Sequence, residues 1–274
     1  MEYIALKNIC KINMGQSPDS TSYNKEKYGI PFFQGNADFG ERFPITRVWC
    51  SSPIKIAKNE DILISVRAPI GAVNFAKEEC CIGRGLASLT LDTSKVSIEY
   101  IYWLLKAKNE ELNLKGTGST FKAISKKVLE DILVPDIELK KQNQCAEILD
   151  KTYNIIQKYR EELTDLDTLI KARFVEMFGN PEANEKEWKM NTFGDICTVR
   201  QGLQIPISKR LTQYEDDCYE YITVQYLHGG KEREYIKSPK TSVICTQNDI
   251  LMTRTGNTGM VVTGVDGGFY NNFF

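Results

Sequence analysis

The segment of this 274-residue sequence with the richest supply of hydrogen-bond donors is 115–122, which reads Lys-Gly-Thr-Gly-Ser-Thr-Phe-Lys. Backbone N–H groups in a glycine-rich segment can approach a phosphate closely, and hydroxyl and ammonium groups can donate to its oxygens. The same composition is typical of a solvated turn, and composition alone favours neither interpretation.

Three further segments carry side chains that could contact nucleic acid bases. Gln34 and Asn36 flank a glycine, and amide side chains can bond adenine bidentately, although a polar turn is the favoured interpretation of this fragment alone. Arg67 follows an apolar run and Arg84 lies between two glycines, so each could reach guanine or phosphate, or equally form a surface ion pair. The candidate contacts are Gln34, Asn36, Arg67, Arg84, Lys115, Thr117, Ser119, Thr120 and Lys122.

Catalytic chemistry is poorly supplied. The chain has one histidine, His228, so a Cys or Ser nucleophile has little choice of base. The sequence has no phosphate-binding G-x-x-x-x-G-K-[ST] loop, no G-x-G-x-x-G motif, no Asn-Pro-Pro-aromatic loop for amino methylation and no acidic cluster with metal-nuclease spacing. Its eight cysteines include no C-x-x-C pair, which disfavours zinc and indicates free buried thiols in a reducing compartment. We therefore expect neither an enzyme nor a metal or cofactor.

Composition and charge limit the remaining classes of protein. The chain is 42% hydrophobic and 26% charged, as in average soluble proteins, and it shows no transmembrane run or signal peptide, which predicts a cytoplasmic location. The net charge of −1 excludes nucleic-acid binding through bulk positive charge. Residues 1–130 carry 18 Lys and Arg against 14 Asp and Glu, whereas residues 131–274 carry 17 against 22, so a local basic surface on the first part remains open.

One long helix is the clearest element that could position these residues. From 145 to 178 apolar residues recur at spacings of four and three without an internal Gly or Pro, and Gly179-Asn-Pro181 ends the pattern. The predicted length is about 50 Å, and a 3.5-residue period is typical of a helix that pairs with another helix. The alternative, a core helix of one compact domain, is disfavoured because globular helices average about 12 residues.

The regions on either side of this helix resemble each other. The sequence matches residues 6–16 to 193–203 at an offset of 187, Gln34 to Gln225 at a longer offset, and residues 59–64 to 247–252 at 188. We therefore predict a first domain at 1–136, a spacer helix at 137–180 and an incomplete second copy at 181–274. The second copy should be less stable, with Phe269, Tyr270, Phe273 and Phe274 near exposed apolar surface.

The first copy is predicted to have an α+β fold. Segments 61–66 and 85–91 are rich in Ile, Val and Leu and indicate strands. Segments 98–107 and 125–132 have helical spacing, with Ser125 as the N-cap of the second.

In their order along the chain these segments resemble the specificity subunit of type I restriction–modification systems. The resemblance spans the whole chain, and each piece alone is degenerate. It rests on Ile9-Cys-Lys-Ile-Asn-Met-Gly15-Gln, Asp61-Ile-Leu-Ile-Ser-Val-Arg67-Ala-Pro-Ile-Gly71-Ala-Val73, Cys81-Ile-Gly-Arg84-Gly85, Gly118-Ser-Thr-Phe-Lys-Ala-Ile124 and Leu169-Ile-Lys-Ala-Arg-Phe-Val-Glu-Met-Phe178.

The resemblance implies two target recognition domains that each read one half of a split site in double-stranded DNA, held apart by two long antiparallel helices. It implies a subunit without a catalytic centre, onto which methyltransferase subunits dock and, through them, the restriction subunit. The sequence departs from the family pattern because the second domain is cut short and the second helix is absent, so another specificity chain or fragment could partner the first helix. The alternative function is a truncated scaffold or decoy whose helix recruits partner subunits without productive DNA recognition.

Overall fold

The structure is a computed structural model that describes residues 2–118, 122–227, 233–237, 239–255 and 258–274. The chain divides into two compact units, Met1–Arg173 (unit 1) and Phe174–Phe274 (unit 2). Among the helices of the described residues, none is long and apolar enough to cross a membrane. The candidate contacts Ser119 and Thr120 lie outside the described residues.

Unit 1 combines helices and sheets, as the sequence predicted. Its strands are β1 (Tyr3–Ala5), β2 (Cys10–Met14), β3 (Tyr23–Asn24), β4 (Ile30–Phe33), β5 (Trp49–Cys50), β6 (Ile56–Ala57), β7 (Ile62–Ser65), β8 (Val73–Phe75), β9 (Cys80–Ile82), β10 (Leu86–Leu91) and β11 (Leu133–Pro135). Its helices are α1 (Ile98–Ala107), α2 (Asn109–Leu114), α3 (Lys126–Glu130) and α4 (Leu139–Phe178), and α4 continues into unit 2.

Two sheets meet around strand β7, which is buried on both faces. One sheet is antiparallel with the order β2-β10-β7-β8, and the other has the order β3-β5-β4-β9-β6 with β4 parallel to β9. Successive strand side chains point to opposite faces. Ile62 and Ile64 therefore enter the main core with α1, α2 and α3, and Leu63 enters a second cluster with Phe33 and Ile82. Burial on both faces explains why three successive residues of this strand, Ile62, Leu63 and Ile64, are all apolar.

The predicted short elements of unit 1 are present with small differences. Helix α1 spans Ile98–Ala107, the predicted range, and β7 and β10 lie within the predicted strands. Helix α3 is shorter than predicted, and Ser125 occupies its N-cap without a capping hydrogen bond from its side chain.

Helix α4 is continuous over 40 residues and lies within the predicted spacer segment 137–180, but it begins six residues before the apolar pattern that starts at 145. The sequence pattern missed its first turns because they are polar, with Gln142 2% exposed and Ala146 3% exposed as the buried residues of the helix. Gly179 ends the helix with a φ of +81° and an N–H that donates to the carbonyl of Val175, as predicted. The apolar stripe beyond Leu149 is exposed, so its expected packing is not provided by the described residues.

Unit 2 repeats part of unit 1, which confirms the predicted partial second copy. Its helices are α5 (Phe193–Ile196) and α6 (Val224–Leu227), and its strands are β12 (Cys218–Ile222), β13 (Tyr235–Lys237), β14 (Ile244–Cys245), β15 (Leu251–Met252), β16 (Val261–Val262) and β17 (Gly267–Phe269). Strand β12 is parallel to β17, as β4 is to β9, and Leu251 opposes Val262 as Leu63 opposes Asn74, 188 residues earlier. Gly71 and Gly259, also 188 apart, have φ values of +87° and +89°.

One detail of the predicted repeat is wrong. Phe33 opposes Ile82 and Ile222 opposes Phe269, so Gln34 corresponds to Thr223 and not to Gln225. The segment before this strand is two residues longer in unit 2 than in unit 1, whereas the predicted match allowed for four.

The aromatic carboxyl-terminal segment is also more buried than expected. Phe269 and Phe273 are 2% and 0% exposed. Phe273 forms an antiparallel β-bridge with Thr253, and this pair corresponds to the Leu86–Ser65 strand pair of unit 1. Residues 197–201, which correspond to β2, form no strand.

The cysteines are free, but they are not uniformly buried. Cys50, Cys80, Cys81 and Cys245 are buried, whereas Cys145 and Cys197 are exposed. Burial raises the pKa of the Cys80 thiol to about 12, which keeps it protonated and unreactive.

Candidate nucleic-acid interface

Three loops that are distant in sequence meet through backbone hydrogen bonds in unit 1. The N–H of Gly15 donates to the carbonyl of Leu86 at 2.9 Å, and the N–H of Gly85 donates to the carbonyl of Gln34 at 3.0 Å. The N–H of Arg84 donates to Oγ of Ser17 at 3.2 Å. Segments 15–17, 34–36 and 83–85 therefore form one surface, which we call the three-loop cluster.

The close approach of these loops requires glycine at two positions. A Cβ on Gly15 would lie 2.2 Å from the carbonyl oxygen of Gly83, and a Cβ on Gly85 would lie 2.3 Å from that of Gln34. Both contacts are with backbone atoms, which cannot rotate away as a flexible side chain can. The glycines thus bring the backbones together and leave Gln34 and Arg84 exposed at the surface.

The loop that carries Gln34 is held by a carboxylate. Oδ2 of Asp38 accepts hydrogen bonds from the N–H groups of Gln34 at 2.7 Å and Gly35 at 3.3 Å. Asn36 begins a short 3-10 turn that ends at Asp38, and it is partly buried. The amide side chain of Gln34 therefore projects from a fixed backbone.

Arg67 and the segment after α2 join the three-loop cluster through the same kind of contact. The N–H of Val66 donates to the carbonyl of Gly85 at 2.9 Å, and the backbone of Arg67 forms an antiparallel β-bridge with that of Ala123. Thr117 and Ala123 exchange both backbone hydrogen bonds, at 2.9 and 3.0 Å. A continuous series of backbone contacts thus runs from Gln34 to Thr117.

The candidate cationic side chains differ in whether a carboxylate pairs with them. Arg67, Arg84 and Lys122 are exposed, and no carboxylate of the described residues pairs with them. Lys115 instead pairs with Glu111 at 2.5 Å.

Glu111 also accepts a hydrogen bond from Lys108 at 2.8 Å. The hydrogen bonds from Lys108 and Lys115 lower the pKa of the Glu111 carboxyl to about 2, so Glu111 stays charged and holds Lys115. Lys115 is therefore less available to a phosphate than the sequence alone suggested.

The arrangement can position donors for a polyanion and for base edges. Guanidinium and amide side chains supply the bidentate donors and acceptors that distinguish bases, and ammonium and hydroxyl groups supply phosphate contacts. Within the described ranges, no group of three or more His, Cys, Asp or Glu side chains could hold a metal ion.

Sequence reasoning missed Gln16 and Ser17. Gln16 is exposed in the three-loop cluster, and its N–H donates to the carbonyl of Ile82 at 3.0 Å. Oγ of Ser17 accepts a hydrogen bond from the N–H of Arg84. The signal that could have found them is Gly15 itself, because a glycine repeated at position 202 indicates a close backbone contact.

The corresponding positions of unit 2 carry different side chains on the same backbone contacts. The N–H of Tyr270 donates to the carbonyl of Ile222 at 3.0 Å, as Gly83 does to Phe33 at 2.8 Å. This register places Thr223 where unit 1 has Gln34, and Asn271 where unit 1 has Arg84. Both replacements are uncharged.

Comparisons with known proteins bear on the whole arrangement. Residues 1–165 match the profile of the family described as type I restriction modification DNA specificity domain. The chain is 43% identical over 157 residues to a Methanocaldococcus jannaschii protein named as the MjaX type I restriction enzyme specificity subunit, which covers 57% of this chain and 37% of the relative.

Two solved structures are also similar. The HsdS subunit of Thermoanaerobacter tengcongensis aligns over 65% of this chain and 45% of its own, with 37% identity and a TM-score of 0.55. A type I restriction–modification S subunit from M. genitalium aligns over 99% of this chain and 70% of its own with a TM-score of 0.57, and its 16% identity shows likeness of fold alone. The chain thus spans less than half the length of the M. jannaschii and T. tengcongensis proteins.

Proposed function

Because this chain belongs to the type I restriction–modification DNA specificity family, we propose that it recognises DNA sequence for a multisubunit methyltransferase and carries out no catalysis itself. The observation that carries the proposal is the series of backbone contacts from Gln34 through Arg67 to Thr117, because it connects the segments whose side chains could contact base edges and phosphates.

Within that surface we assign different roles to different side chains. Gln34, Asn36 and Arg84 would contact base edges, since amides and guanidiniums can form bidentate pairs. Arg67, Thr117 and Lys122 would contact phosphates, together with Ser119 and Thr120. Lys115 would contribute less because Glu111 holds it.

The two units would read different half-sites in double-stranded DNA. Residues 1–136 would act as the first recognition domain, 137–180 as the spacer and 181–274 as the second recognition domain. The uncharged Thr223 and Asn271 at the positions of Gln34 and Arg84 favour a different target for the second domain, because their hydrogen-bond patterns differ.

Methyltransferase subunits, and through them a restriction subunit, would be the protein partners. The exposed stripe of α4 would pair antiparallel with the same helix of another specificity chain. Residues 139–160 of α4 carry five Lys and Arg against two Asp and Glu, whereas residues 161–178 carry two against five. An antiparallel pair therefore places the basic half of each helix beside the acidic half of the other.

The proposed recognition is tested by co-expressing the full chain with the neighbouring methyltransferase subunit and sequencing the methylome. A split methylation motif that depends on this chain is expected. Stable binding of the methyltransferase subunit without any motif would contradict DNA recognition and support the decoy function.

A variant tests the assigned base contact in the same assay. Gln34→Ala should change the base preference in one half of the motif, since a bidentate pair contributes about 1–3 kcal/mol of discrimination against the wrong base. The control is Gln144→Ala, an exposed glutamine on α4, which should leave the motif unchanged.

A further inference from the structure

Arg42 joins three elements of unit 1 at one point. Its Nη1 donates to Oδ1 of Asp150 on α4 at 2.9 Å, and its Nη2 donates to Oε2 of Glu99 on α1 at 2.5 Å. Nε1 of Trp103, also on α1, donates to the same Oδ1 of Asp150 at 2.9 Å. We call Arg42, Glu99, Trp103 and Asp150 the Arg42 clamp.

Aromatic rings surround the guanidinium of the clamp. Its Cζ lies 5.3 Å from the ring centroid of Phe75 and 5.2 Å from that of Tyr102, and these two rings stack at 4.5 Å. The side chain of Arg42 is 22% exposed, so its ion pairs lie partly out of water, where they are less screened. A planar guanidinium with two carboxylate partners and stacked rings has one preferred orientation.

Arg42 lies in the loop between β4 and β5, and the beginning of this loop belongs to the three-loop cluster. The carbonyl of Asp38 accepts the N–H of Ile45 at 2.8 Å, while the Asp38 carboxylate holds the backbone of Gln34. The carbonyl of Arg42 accepts the N–H of Phe75 at 2.8 Å, which fixes the loop on β8. Hydrogen bonds thus connect the candidate base-reading loop to α4 within unit 1.

Helix α4 has a second anchor two turns before the clamp. Oε1 of Gln142 accepts the N–H of Ser97 at 2.9 Å, and its Nε2 donates to the carbonyl of Ile137 at 2.8 Å. Residues 158–173 are exposed along the rest of the helix in unit 1. The direction in which α4 extends is therefore set by these two anchors and by Tyr153, whose ring lies 5.3 Å from that of Trp103 and 4.2 Å from Nζ of Lys106.

A small rotation at the clamp has a large effect at a distance. Twenty-three residues separate Asp150 from Arg173, about 35 Å of helix at 1.5 Å per residue. A rotation of about 5° would displace the far end by about 3 Å, close to the roughly 3.4 Å between successive base pairs.

We propose that Arg42 is a positioning residue whose contacts with Asp150 and Glu99 set the direction of α4 and thereby the number of base pairs allowed between the two half-sites. This inference rests on the proposed function. Arg42 would touch no base itself. It would act through α4, and its loss would relax the required gap without changing the letters of either half-site.

The experiment uses the full chain co-expressed with the methyltransferase subunit on plasmids whose split sites differ in gap by one or two base pairs. Arg42→Gln and Asp150→Asn should lower methylation at the preferred gap by more than about tenfold, because a misplacement of about 1 Å can cost about a hundredfold. The preference for that gap over its neighbours should also fall, with both half-sites unchanged. The control is Lys151→Ala, the next residue on α4, whose side chain is 70% exposed.

A second measurement separates failure of the clamp from failure of the proposed function. Spin labels introduced through non-natural amino acids at Lys11 and Lys171, both exposed in unit 1, report the direction of α4 in the free chain. Arg42→Gln should broaden the distance distribution while circular dichroism shows a folded chain. An unchanged distribution, an unchanged gap preference or altered half-site letters would each overturn the inference. A wild-type chain that yields no split motif would overturn the proposed function instead, and with it the gap-setting role.

Discussion

At the scale of single residues, the candidate interface shows that lysines of one segment are not equivalent. Lys115 and Lys122 lie seven residues apart in a donor-rich segment, but Lys115 pairs with Glu111 and Lys122 has no carboxylate partner among the described residues. The exposed Lys115–Glu111 pair adds little stability, since exposed ion pairs contribute about 0–1 kcal/mol. Its consequence is to reduce the positive charge offered to DNA.

We therefore expect Lys122→Ala to weaken binding to all DNA sequences alike. It should lower the slope of log affinity against log salt by about 1, because one phosphate contact is lost. Lys115→Ala should have a smaller effect, and Glu111→Gln should strengthen binding by releasing Lys115. Fluorescence anisotropy at several salt concentrations checks this order, and equal losses for the two lysine variants would contradict it.

Gly15 is the residue on which the packing of the three-loop cluster depends most directly. Gly15→Ala should destabilise unit 1 by about 1–3 kcal/mol, since its Cβ would lie 2.2 Å from a backbone oxygen and the loops would have to separate. Chemical denaturation measures the change. Gly35→Ala is the matched control, because no atom lies within 4 Å of its Cβ and its φ of −175° is extended. Equal destabilisation by both variants would refute the close-contact argument.

At the scale of elements, α4 has two functional parts. Its first turns are attached to unit 1 by Gln142 and the Arg42 clamp, and the following turns expose apolar residues such as Leu163, which is 63% exposed. An exposed apolar stripe with a 3.5-residue period and oppositely charged halves is suited to antiparallel pairing.

Self-association of the chain should therefore depend on the stripe. Leu163→Asp should abolish dimerisation measured by light scattering, since a charge would enter the helix pair. Thr164→Asp, the same substitution one residue along on the exposed surface, should leave dimerisation unchanged. A monomeric wild-type chain, or equal effects of the two variants, would exclude the helix pair.

At the scale of the whole molecule, the two units differ in the size of their buried cores. Among the described residues, the main cluster of unit 1 packs three helices against the β2-β10-β7-β8 sheet, whereas the cluster of unit 2 consists of Ile222, Cys245, Leu251, Phe269 and Phe273 with partly buried neighbours. Stabilisation by apolar burial scales at roughly 25 cal/mol per Å². Unit 2 should therefore be the less stable unit of this chain.

Hydrogen exchange of the purified chain should reveal that difference. Backbone amides in residues 188–274 should exchange through low-energy openings, while those of β7 and β10 should exchange only with global unfolding of unit 1. Addition of a chaotrope at low concentration should enlarge the difference. Protection of unit 2 equal to that of unit 1 would show that its smaller core suffices.

The sequence by itself determined the two strands β7 and β10, the long helix, the repeat and the family resemblance, because period, glycine position and segment order are local features that survive without coordinates. The match of residues 6–16 to 193–203 aligned Gly15 with Gly202, and in the structure both glycines make a close contact with a backbone carbonyl. Only the tertiary structure decided which of the donor-bearing segments contact one another and which lysine pairs with a carboxylate. Arg42 meets Glu99 across 57 positions and Asp150 across 108, and no local pattern predicts such pairs. The apolar pattern missed the first turns of α4 for the same reason, since Gln142 is buried by its contact with Ser97, 45 positions away. Long-range pairing depends on the path of the whole chain, and the path is set by packing that the sequence pattern records only in part.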